Sequence, residues 1–142
     1  MRANEFVLLE NAADTITIGR SLVGSSGTKF QIGDSFIDVQ HTGLTHSPRN
    51  QSIINFVVDE NQRGQGIGKK LLAHAMKHFH DLGGQTSSTA AIHVLYGAGF
   101  RSPDEPTATV NELDAIRREN SSVYLAQNDR EGNPLSGSGS NA

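Results

Sequence analysis

Ile53-Ile54-Asn55-Phe56-Val57-Val58 forms a nearly continuous apolar run of β-branched and aromatic residues between polar flanks. That pattern predicts a strand buried on both faces. The polar, glycine-rich segment Asp59 to Gly68 follows it. Ile67, Leu71, Ala75, Phe79 and Leu82 then recur at helical spacing, with Lys69, Lys70, Lys77 and Asp81 off their stripe. The spacing predicts a helix from about Ile67 to Leu82, ended by Gly83-Gly84 in a left-handed turn. Upstream, Phe6 to Leu9 and Thr15 to Ile18 read as short strands. Ser21 to Thr28 and His41 to Asn50 read as loops. Phe30–Ile32 and Phe36–Val39 flank Gly33-Asp34, which predicts a hairpin. Downstream, Ala90 to Tyr96 and Val110 to Asn120 read as helices. Phe100 opens a strand after the Gly97-Ala98-Gly99 turn, and Ser122 to Ala126 makes the last one.

Composition narrows this to one unit. The chain has 142 residues, enough for one domain with a true core. Its hydrophobic share of 35% is low, and the shortfall falls on the polar end. Residues 1–126 are therefore expected to form a single domain and 127–142 a disordered tail. The net charge of -3 gives no electrostatic reason to expect a nucleic-acid partner. The absence of cysteine excludes disulfides, thiolate metal sites and a cysteine nucleophile, and fits a reducing, cytoplasmic setting. No apolar run approaches the roughly 18 residues of a membrane span. The N-terminal MRANEFVLLENAAD lacks the basic and apolar regions of a secretory signal.

The candidate chemistry lies at the strand–helix junction, Arg63-Gly64-Gln65-Gly66-Ile67-Gly68-Lys69. The first turn of a helix leaves backbone N–H groups without intrahelical partners, and the helix dipole adds partial positive charge there. Glycines let a phosphate approach the backbone. Together these make an anion cradle, with Arg63 and Lys69 beside it. Glycines at 64, 66 and 68 do not give the G-x-G-x-x-G dinucleotide spacing. Lys69 is followed by Lys70, so the lysine–hydroxyl pair of an NTPase phosphate loop is missing too.

Arg63-x-x-Gly66-x-Gly68 within VVDENQRGQGIGKKLLAHAM resembles the Q/R-x-x-G-x-G/A signature of the GNAT acetyltransferases. AAIHVLYGAGF resembles that family's second signature, a short helix ending in Gly-Phe. The resemblance covers Ile53 to Phe100. It implies an α+β fold: a mixed, mostly antiparallel sheet, a central helix after a pyrophosphate-binding loop, and a shortened N-terminal region. It also implies acetyl-CoA as cosubstrate and an amine-bearing acceptor. Amides of Gly64, Gln65, Gly66, Ile67, Gly68 and Lys69 would hold the pyrophosphate, with Arg63 beside them. Main-chain groups of the strand at Phe56, Val57 and Val58 would pair with the pantetheine arm and stabilise an oxyanion. The chain would then move acetyl to a primary amine by direct attack in a ternary complex.

Several positions depart from the family pattern. Its acid is often a tyrosine four residues before the Gly-Phe glycine, where Leu95 stands; Tyr96 comes one position late. Either Tyr96 reaches the sulfur as acid or the acid is missing. Ser88 stands where the family often has asparagine. Asp59, Glu60, His41 and His46 are candidate bases, with Glu60 carried forward and a plain surface role as the competing reading. The fifth strand is short or absent, and the early helix pair has no counterpart before residue 50. The acceptor side is therefore open, completed by a second copy in a homodimer, or degenerate. His74 and His78 at i, i+4 read as a solvated or boundary pair, not a metal site. Glu112 to Arg118 reads as a solvated helix face. A domain that binds acyl-CoA without turnover, and a phosphate-binding module unrelated to coenzyme A, are the competing functions.

Overall fold

A computed structural model describes residues 16–20, 27–40, 51–129 and 131–135. The strands are β1 (Thr17–Arg20), β2 (Gly27–Ile32), β3 (Ser35–Gln40), β4 (Gln51–Val57), β5 (Leu82–Thr86) and β6 (Val123–Ala126). The helices are α1 (Ile67–His78), α2 (Thr89–Gly97) and α3 (Val110–Asn120). The sheet runs β1-β2-β3-β4-β5-β6 in chain order. Every pairing is antiparallel except β4 with β5, so the fold is the mixed, mostly antiparallel α+β arrangement expected. The readings at Phe6–Leu9, at His41–Asn50 with its two histidines, and beyond residue 135 lie outside the described residues.

The β2–β3 hairpin turns at Gly33 with φ 59°, as the Gly33-Asp34 signal predicted. Phe30 pairs with Ile37 across it, and both are fully buried. α1 lies on this face, burying Ile67, Leu71, Leu72 and Ala75 against β2 and β3. Each such aliphatic side chain taken from water contributes roughly 1.5–3 kcal/mol. His74 and His78 pack around Phe30, with ring centroids 5.4 and 5.3 Å away, so the pair sits at the core boundary. Burial, followed by the charges of His78 and Lys77, holds the His74 pKa below the usual histidine value.

Two expectations need correction. The helix ends at His78, not Leu82, and Gly83-Gly84 lie inside β5. A Cβ on Gly84 would sit 2.6 Å from the Ile53 carbonyl oxygen, so this glycine serves a close strand approach rather than a helix end. β4 is not buried along its length: Ile53 is 7% exposed but Val57 is 42% exposed. In the polar segment after Ala126, residues 127–129 and 131–135 are described and carry hydrogen bonds. Gln127 exchanges bonds with Leu82, N–H to carbonyl at 3.0 Å and side-chain oxygen from the Leu82 N–H at 2.8 Å. Asp129 Oδ1 accepts from the N–H groups of Glu131 and Asn133 at 2.9 and 2.8 Å. Hydrogen bonds rather than apolar burial hold these described residues, which a hydropathy reading does not see.

Candidate functional site

β4 leads into a single 3-10 turn, Glu60–Gln62, and then into α1. Asp59 starts the turn, its Oδ2 accepting from the Asn61 N–H at 3.1 Å. The loop is tied to the β2–β3 hairpin. Ser35 Oγ accepts from the Asp59 N–H at 2.8 Å and donates to Gln62 Oε1 at 2.7 Å. The Asp34 N–H donates to the same Gln62 oxygen at 3.2 Å. These anchors were not legible, since nothing local links positions 35 and 62. Arg63 bends back, its Nε donating to the Val58 carbonyl at 3.2 Å.

Gly64 and Gly66 have φ of 80° and 74°, and a Cβ on either would meet no atom within 4 Å. Their role is the left-handed backbone itself. Gly66 is the N-cap of α1, and no side chain caps the helix. The first intrahelical bond runs from the Lys70 N–H to the Gly66 carbonyl at 3.0 Å. The N–H groups of Ile67, Gly68 and Lys69 therefore precede the helical ladder. Gly68 has another role: a Cβ there would lie 3.2 Å from Val58 Cγ2 and 3.6 Å from the Phe56 ring. It lets the helix start close against β4. Lys69 is exposed on the first turn.

β4 and β5 are paired only at Gln51–Leu82 and Ser52–Gly83. Beyond Gly84 the two strands part. A cavity of about 230 Å³ opens between them, lined from Ile53 to Val57 on one side and from Gly84 to Ser88 on the other, with Leu95 beneath. It shares Phe56, Val57 and Ser88 with a second cavity of about 360 Å³ that reaches Val58, Arg63, Ala91 and Val94. The cleft thus runs from the fork in the sheet to the loop before α1. The β5 side of Asn55–Val57 has no strand partner among the described residues. Ser88 caps α2 at the cleft, its Oγ accepting from the Ala91 N–H at 3.1 Å.

The sequence-derived residues fall into two groups. Phe56, Val57, Val58 and Arg63 line the cleft, and Gly64 through Lys69 form the loop and helix start next to it. Glu60 is exposed on the 3-10 turn and lines neither cavity. Tyr96 is also elsewhere. Leu95 faces the cleft, whereas the Tyr96 ring is covered by the Arg101 guanidinium at 3.5 Å. One residue along a helix is a 100° rotation, so a tyrosine one position late points away.

Residues 31–102 match the model of the acetyltransferase (GNAT) domain, about half of the chain. The chain belongs to the GNAT family, and this is an acetyltransferase-type domain. The comparisons with curated proteins and with solved structures give no match.

Proposed function

We propose that this domain transfers acetyl from acetyl-CoA to a primary amine by direct attack in a ternary complex. The observation that carries the reading is the parallel β4–β5 pair that parts after two residues beside an uncapped helix start. The β5 side of Asn55–Val57, without a strand partner among the described residues, suits a pantetheine arm added as a strand. The Gly64–Lys69 amides and Arg63 suit the pyrophosphate. The cosubstrate supplies an activated acyl group on a thiol. A main-chain N–H of β4 at the fork would stabilise the oxyanion formed on attack. Among the described residues, neither cavity is lined by an Asp, Glu, His or Tyr. A thiolate tolerates the missing acid, since a thiol of the cysteine kind has a pKa of only about 8.5.

That lining also favours a second reading, a domain that binds acyl-CoA without turnover. Incubation of the chain with acetyl-CoA and a panel of primary amines, with free thiol followed, separates the two. Amine-dependent thiol release supports transfer. Thermal stabilisation by acetyl-CoA with no thiol released supports the binding domain, and neither response refutes both.

A further inference from the structure

Resting on the transferase reading, we infer that Asp38 is the proton acceptor for a charged alkylamine that enters from the sheet face opposite α1. Ile37 pairs with Phe56, whose ring lies against Gly68 of α1. The next pair, Asp38 with Asn55, therefore lies on the other face. The ladder then slips, Val39 pairing with Ile53 and Ile54 left over, so the bulge sits where β4 leaves β5. Asn55 lines the cleft at that point. Directly opposed residues place their Cβ atoms about 5 Å apart, so the carboxyl stands one side chain behind the cleft wall.

Asp38 is 3% exposed, and its Oδ1 is buried with no hydrogen-bond partner among the described residues. A buried carboxylate oxygen without a donor costs free energy and marks a site awaiting one. Its charged cross-strand neighbour on β2, Lys29, is held with Nζ 4.5 Å over the Phe36 ring. An ammonium arriving at Asn55, directly or through one water, supplies the missing donor. One ammonium proton passes to the Asp38 carboxylate and on to solvent. The nitrogen electron pair forms the C–N bond, and the C–S bond breaks with its pair on sulfur. The second nitrogen proton neutralises the thiolate.

The test compares a primary alkylamine, charged at neutral pH, with an aromatic amine, which is not. In Asp38→Asn, kcat/KM for the alkylamine falls about 100-fold, within the range for general base catalysis. Aromatic-amine turnover stays within threefold, and the coenzyme A-induced Tm shift is retained. Raising the pH toward the alkylamine's own pKa restores its turnover. Equal losses for both amines, or no loss for either, overturn the assignment of Asp38 alone. A wild-type chain that releases no thiol with either amine overturns the transferase reading and this inference with it. If Asp38→Asn loses the Tm shift, Asp38→Ser takes its place in the same comparison.

Discussion

Gly84 and Gly66 show two different reasons for a glycine. At Gly84 the limit is space: the Ile53 carbonyl oxygen would stand 2.6 Å from a Cβ, and a backbone atom cannot swing aside. Gly84→Ala must spread β4 from β5 at the root of the fork. The expected cost is about 1–3 kcal/mol, as for other overpacked sites, read as a lower urea midpoint at unchanged m-value. At Gly66 space is free and the limit is φ 74°. The loop glycines were legible because a strand–glycine–helix run has few other physical uses. Gly84 was not, because its neighbour Ile53 is distant in sequence. The same holds at Leu95 and Tyr96, where composition offers a tyrosine but helix phase presents a leucine.

Among the elements, α2 and α3 are joined through one carboxylate. Asp114 Oδ1 accepts from Thr89 Oγ1 and Arg117 Nε, both at 2.9 Å, and Oδ2 accepts from Arg118 Nη2 at 2.6 Å. The expected solvated face of α3 thus carries a buried member, since Asp114 is 5% exposed. The Arg117 hydrogen bond, with help from Thr89 and Arg118 and against the effect of burial, lowers its pKa to about 2. A carboxylate lowered on folding stabilises the fold above its ordinary value near 4, and that gain is lost as pH falls through 2. Asp114→Asn should therefore lower Tm at pH 7, with the gap to wild type closing as pH approaches 2 in thermal scans. The bounds of α3 were legible, because Thr109 and Glu112 form a capping box that local sequence displays.

For the molecule as a whole, the proposed function requires that the cleft bind coenzyme A. A ligand held at 100 times its Kd stabilises the fold by about 2.7 kcal/mol. For a domain of this size that is roughly 5–15 °C in Tm. Coenzyme A should give such a shift, and Gly66→Val, which cannot adopt the left-handed loop without strain, should remove it. A Gly66→Val chain with an undiminished shift would dissociate the loop from binding.

The sequence alone determined the parts whose causes are local: the hairpin at Gly33, the apolar stripe of α1, the capped start of α3 and the glycine loop before α1. Each is written within a few residues, in side-chain period or backbone freedom. Tertiary structure alone decided how far β4 and β5 stay together, which face Leu95 and Tyr96 present, and that Asp38 Oδ1 is buried with no hydrogen-bond partner among the described residues. It also decided that Gln127 is bonded to Leu82 of β5. These features depend on contacts between residues far apart in the chain, and no pattern read along the chain carries that information.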